Sequence, residues 1–221
     1  MLFRSDGPAV SGKGTVARRL ASDLSIYYLE TGLLYRAIGY VISLNKSKSD
    51  VLSGDIGRDS LYKYFSDISY EYAHGKAQIL YKSDNITGFL RTKMIDWFSS
   101  HVSKDADVRN CLRRVQRDIG LKHDLATDGR DCGTVIFPHA EYKFFLTASL
   151  AERTNRLISD DSRKNLNYSF DDARRDILSR DISDITRTHS PLAPAADAII
   201  INNSNISQEE TYQLIKSYIK I

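Results

Sequence analysis

Apolar positions along the chain switch between two periods, and the switches mark out its elements. From Thr15 to Leu24, the residues Val16, Leu20 and Leu24 recur four apart, the spacing of one buried helix face. A glycine-rich turn at 7–14 precedes this helix, and residues 2–5 before it form a short, poor strand. Ile26 to Leu29 is predicted as a strand and Leu33 to Leu44 as a second helix. Residues 45–60 are polar and break the alternation. Tyr70-Glu71-Tyr72 and Gln78-Ile79-Leu80-Tyr81 then flank Gly75, a hairpin signal that places a small sheet insert at roughly 61–88. Helical periodicity returns over 90–119, and the strand Leu125-Ala126-Thr127 leads into Asp128. Tyr142 to Leu146 is another apolar strand, with helices at about 149–158 and 169–183 around the charged stretch Ser159 to Tyr168. Ala198 to Ile201 is a last strand and Gln208 to Ile219 a closing helix. Strands alternating with helices predict an α/β fold, three layers with a parallel sheet covered on both faces.

Composition narrows the class without naming a chemistry. The 221 residues are 42% hydrophobic and 27% charged, ordinary for a globular chain that buries one sizeable core. A net charge of +3 is too mild for a nucleic-acid binder, though it suits a site that gathers anionic nucleotides in clustered arginines. Cys111 and Cys132 have no metal-ligand spacing, which points to a reduced compartment. No run approaches the roughly 18 apolar residues of a membrane span. Arg4-Ser5-Asp6 comes too early for a signal-peptide core. A cytoplasmic protein, with neither membrane nor nucleic acid as partner, is expected.

The strongest chemistry lies in Gly7-Pro8-Ala9-Val10-Ser11-Gly12-Lys13-Gly14-Thr15. Gly7, Gly12 and Lys13 match the phosphate-binding loop pattern, and the hydroxyl residue arrives one position late because Gly14 intervenes. Glycines let backbone N–H groups turn inward around phosphate oxygens, and the following helix adds its positive end. Lys13 supplies a point charge for β- and γ-phosphates. A glycine-rich turn that opens a helix by chance is the competing reading. The Gly-Lys-Gly-Thr ending is closer to nucleoside-monophosphate kinases than to GTPases or motor ATPases. Phe3-Arg4-Ser5 puts polar residues where such folds have a buried apolar run, which implies either a start further upstream or an unusually weak first strand.

Three further groups supply candidate ligands. Arg36 lies five residues past Thr31 at the start of the second helix, although an arginine there can equally be a solvated surface residue. Asp128-Gly129-Arg130-Asp131-Cys132-Gly133 follows an apolar strand, and strand C-termini in α/β sheets are where ligands bind. Asp128 stands where an acid can hold magnesium through water. A tight turn is the plainer account of that stretch. Arg180, Asp184 and Arg187 share one helical face, as they would in a simple salt-bridge ladder, and Arg187 sits where turn character begins.

Together these motifs resemble the bacterial cytidylate kinase family over nearly the whole chain. The specific stretches are Asp128 to Pro138 and Pro191 to Asp197. Asp6 to Thr15, Thr31-Gly32 with Tyr35-Arg36, Gly88 to Thr92, Val108-Arg109 and Arg180 to Asp197 also match. The resemblance implies a single P-loop kinase domain over 1–221, with a monophosphate-binding region of about 31–101 around the insert and a short lid at about 159–168. It implies that Arg36, Arg130 and Arg187 bind the CMP phosphate, with Thr31 nearby, and that Ser100, Arg109 and Asp131 read cytosine. Asp184 and Arg180 would serve ribose and phosphates. The loop from Gly7 to Thr15, with Arg156, would bind ATP, and Thr15 and Asp128 would hold Mg2+. Thr31 and Glu30 replace residues that are often Ser and Asp in the family pattern. The implied reaction is ATP with CMP or dCMP giving ADP with CDP or dCDP, in a monomer.

The physics suits that reading. An acceptor phosphate is already anionic, so no general base is needed. The protein has to align two repelling anions and neutralise the group in transfer, the task of Lys13, magnesium and arginines. A kinase of the same fold acting on UMP, AMP or a non-nucleotide is the nearest rival. A nucleotide-dependent switch or nucleic-acid-dependent ATPase is the rival from another class.

Overall fold

The computed structural model describes residues 2–160 and 169–220. Most of the expected lid, residues 161–168, lies outside the described residues. In chain order the elements are β1 (Leu2–Asp6), α1 (Lys13–Asp23), β2 (Tyr27–Glu30), α2 (Thr31–Ser43), α3 (Lys48–Leu52), α4 (Leu61–Ser66), β3 (Ile68–Ala73), β4 (Lys76–Tyr81) and β5 (Asp84–Asn85). They continue with α5 (Lys93–Val102), α6 (Ala106–Lys122), β6 (Leu125–Gly129), β7 (Tyr142–Thr147), α7 (Leu150–Ile158), α8 (Phe170–Thr186), β8 (Ile199–Asn202) and α9 (Gln208–Ser217). A five-stranded parallel sheet runs in the order β2-β6-β1-β7-β8, and a small antiparallel sheet runs β3-β4-β5. The α/β expectation holds, as does the small sheet within 61–88.

The chain divides into two compact units: Met1–Ile26 with Ala126–Ile221, and Tyr27–Leu125. In the first, β1 pairs with β7 from Phe3↔Tyr142 to Asp6↔Phe145, and β7 pairs with β8. Phe3 and Phe144 stack tilted with ring centroids 5.4 Å apart, while Leu20 and Tyr212 from α1 and α9 are fully buried. The first strand covers the five residues Leu2–Asp6, one more than expected, and pairs with β7 from Phe3 to Asp6. Arg4 is wholly buried; its guanidinium lies 3.7 Å from the centre of the Phe137 ring and donates to the Phe3 carbonyl at 2.8 Å. Burial lowers the Arg4 pKa to about 10, against opposing pulls from Cys132 and Asp6, so it remains a cation at neutral pH. The polar residues that weaken the strand on paper are therefore internal structure.

In the second unit, α2 and α5 pack so closely that a Cβ on Gly39 would come 2.8 Å from the Ser99 amide nitrogen. The periodic stretch 90–119 is two helices. Asp105 ends the break by accepting the Asp107 and Val108 N–H groups at the start of α6, an N-cap that costs about 1 kcal/mol to remove. The hairpin at Gly75 is present, with His74 and Gly75 both at positive φ between Ala73 and Lys76, the geometry of a two-residue turn. The polar stretch 45–60 contains the short α3, started by a capping box between Ser47 and Asp50.

Candidate active site

The phosphate loop bridges β1 and α1. Gly7 is required by contact, because a Cβ there would fall 2.1 Å from the Leu146 carbonyl oxygen of β7. Gly12 takes φ 88° at the start of α1, a left-handed conformation that favours glycine. Lys13 is buried, and its ammonium donates to the Pro8 carbonyl at 2.9 Å across the loop. Burial first, and then the cations Arg130 and Arg180, lower its pKa to about 7, while Asp128 and Asp184 pull the other way. Its titration thus responds to four of the residues singled out from the sequence. Thr15 is exposed on the first turn of α1. Ala9 departs from expectation: its N–H donates to Asp181 at 3.1 Å instead of facing a ligand.

Asp128 is half-buried at the next-to-last position of β6, and the chain then turns through Arg130 and Asp131 into one wide helical turn at Cys132–Ile136. Asp184 holds two arginines with its two oxygens: Arg130 Nε donates to one at 2.6 Å and Arg187 Nη1 to the other at 3.2 Å. Burial opposes the Asp184 charge, but the Arg130 and Arg187 charges outweigh it and lower the pKa. Burial opposes the Arg130 charge too, and Asp184, with Asp128 and Asp181, more than offsets that and raises the pKa. Arg187 stands one residue past α8, where its Nε donates to the Ser190 carbonyl at 2.7 Å. Its Nη2 lies 3.7 Å from a carboxylate oxygen of Asp131, so Asp131 is paired with Arg187. Arg180 Nη1 lies 4.0 Å from a carboxylate oxygen of Asp176. The first unit thus gathers Lys13, Asp128, Arg130, Asp131, Arg180, Asp184 and Arg187.

Arg156 also sits in this unit, and sequence pattern alone does not reveal its partners. It donates to the Asn203 carbonyl at 2.8 Å and to the Asn203 side-chain oxygen at 3.1 Å, while Asn203 Nδ2 donates to the Ser11 carbonyl at 3.0 Å. Asp6 opens the matching stretch Asp6 to Thr15, but no role was expected of it. It receives the N–H groups of Cys132 and Gly133 at 2.9 and 2.7 Å, tying the end of β1 to the turn after Arg130-Asp131. Burial raises its pKa to about 6, against the two backbone donors. The signal available in the sequence was its place directly ahead of Gly7.

The second unit holds the other candidates. Thr31 opens α2 with its side chain buried. Arg36, one turn on, is buried, donates to the Leu90 carbonyl at 2.8 Å and pairs with Asp96. An arginine buried in this way is no solvated surface residue. Arg109 of α6 is likewise buried, donating to the Ser103 carbonyl at 3.0 Å with its guanidinium 5.4 Å from the Tyr35 ring centre. Ser100 is half-buried on α5.

The cytidylate kinase family model matches residues 4–221. A cytidylate kinase of Flavobacterium johnsoniae is 34% identical over 221 residues, an alignment covering 98% of this chain and 96% of that protein. One from Thermosipho melanesiensis is 35% identical over 215 residues, covering 97% of this chain and 94% of that protein. No helix among the described residues is long and apolar enough to cross a membrane.

Proposed function

Because the chain belongs to the cytidylate kinase family, we propose that it transfers the γ-phosphoryl group of ATP to CMP and dCMP, forming ADP with CDP or dCDP. The observation that carries this reading is the buried Lys13 of a phosphate loop, coupled electrostatically to Arg130, Asp128, Asp184 and Arg180. An anionic acceptor needs no general base to activate it. The set offers charge held in place, which is what phosphoryl transfer asks of a protein.

In this reading the loop from Gly7 to Thr15 wraps the polyphosphate of ATP with its inward N–H groups, Ala9 serving as support, and Arg156 flanks it. Arg36, Arg130 and Arg187 bind the acceptor phosphate, and Asp184 keeps two of them in register. Arg180 and Asp184 serve ribose and phosphates, with Thr31 at the acceptor. Ser100, Arg109 and Asp131 read the base. Magnesium suits the oxygen donors present: the half-buried Asp128 carboxylate and the exposed Thr15 hydroxyl would hold it. When bound, it neutralises charge on the β- and γ-phosphate oxygens. The protein acts on small molecules, in the cytoplasm, as a monomer.

The test is a comparison of acceptors at saturating ATP. CMP and dCMP should exceed AMP in kcat/KM by about 100-fold or more, because a site built to hydrogen-bond one base leaves buried groups unpaired with another. Equal use of AMP would refute cytosine recognition.

A further inference from the structure

Arg153 and Asp181 lie outside every ligand role assigned above, yet they meet the phosphate loop directly. Arg153 is on α7 and Asp181 on α8, and each is only 7% exposed. Asp181 accepts the Ala9 N–H at 3.1 Å on one oxygen and pairs with Arg153 at 2.5 Å through the other. Arg153 Nη1 in turn donates to the Ala9 carbonyl at 3.1 Å, and its Nε donates to the Ala148 carbonyl at 3.0 Å. Both backbone groups of one loop residue are thus gripped by one buried ion pair. The next residue, Val10, has φ 60°. A β-branched residue there is strained, and persists only where its surroundings dictate the conformation. Val10 packs against Leu157, Ala173 and Ile177, a cluster contributed by the same two helices. Polar clamp and apolar seat therefore act on adjacent residues of the loop.

We propose that the Arg153–Asp181 pair is a positioning device that holds the phosphate loop at Ala9 and Val10 in the conformation that receives the ATP polyphosphate. This rests on the reading of the loop as the ATP site. In that reading the N–H groups after Val10 face the polyphosphate, and their directions depend on the dihedral angles at Ala9 and Val10. Free of the clamp, the loop relaxes the Val10 strain and has to be reordered each time ATP binds. That cost falls on ATP and spares CMP.

Two variants test it. Asp181→Asn keeps an oxygen for the Ala9 N–H but removes the charge that holds Arg153. The double variant Arg153→Met with Asp181→Leu removes both charges, leaves net charge unchanged and strands no buried ion, so it is expected to fold with near-native stability. For each, Mg-ATP and CMP dissociation constants are measured separately by calorimetry, alongside Tm. The expected result is a rise of about 10-fold or more in the ATP constant of both variants, with CMP within about threefold, since a charge-assisted clamp on the loop is lost. In the double variant this deficit should persist despite recovered Tm, which a merely structural pair would not produce. A double variant that is stably folded and binds ATP as wild type does overturns the proposal. So does an Asp181→Asn protein whose ATP and CMP constants rise equally. Wild-type protein that binds no Mg-ATP sinks the reading of the loop itself, a distinct outcome from either.

Discussion

Replacing Lys13 by alanine should lower kcat by about 10²- to 10³-fold or more, the loss seen when a preorganised charge facing the transition state is removed. The fold should persist, because Lys13 is repelled by Arg130 and Arg180 as well as drawn to Asp128 and Asp184. Its lowered pKa gives a second readout. With a pKa of about 7 in place of the ordinary 10.5, the group is mostly neutral at pH 8. A triphosphate favours the ammonium form and raises the pKa again. ATP binding at pH 8 should therefore take up roughly one proton, with little uptake at pH 5.5 where the group is already charged. Calorimetry in buffers of different ionisation enthalpy measures this, and the uptake should vanish in Lys13→Ala. A folded variant with near-normal kcat would remove Lys13 from the transition state.

Base choice should turn on Asp131. Cytosine presents an exocyclic amino donor where uracil has a carbonyl, so a carboxylate accepts from one and repels the other. Asp131→Ala should compress the CMP/UMP ratio of kcat/KM by about 10- to 10³-fold, from a loss of roughly 1.5–4 kcal/mol of discrimination. The competing role is mechanical: Asp131 lies 3.7 Å from Arg187 Nη2 and braces that arginine. If bracing is all it does, CMP and UMP suffer equally and the ratio stays fixed. Both substrates are to be measured on one preparation, so general damage cancels in the ratio.

The parts of this molecule that could be read from sequence are those where local chemistry dictates the backbone. Gly75 announced its hairpin because a two-residue turn needs positive φ. The second turn of the same small sheet uses Lys82 and Ser83 at positive φ, with no glycine to mark it, and β5 went unread. The helical period over 90–119 ran through a real break, since apolar spacing survives the interruption while Asp105 caps the second helix. Arg4 misled because hydropathy cannot register a guanidinium stacked on an aromatic ring inside a sheet. At the site, the glycine loop and the arginine clusters were visible as motifs. The supports were not. Asp181 meets Ala9 across 172 residues of chain, and Asn203 meets Ser11 across 192. Those pairings exist only once β1, β7 and β8 lie side by side.

The most direct test of the account is ATP consumption by the purified protein with and without CMP, with products identified. A phosphoryl carrier built from fixed charge should waste little ATP on water when no acceptor is bound. CMP should raise ADP formation by about 100-fold or more, since aligning the acceptor supplies much of the rate. CDP should then appear mole for mole with ADP. ADP formation that ignores CMP, or that yields free phosphate in its place, contradicts the assignment.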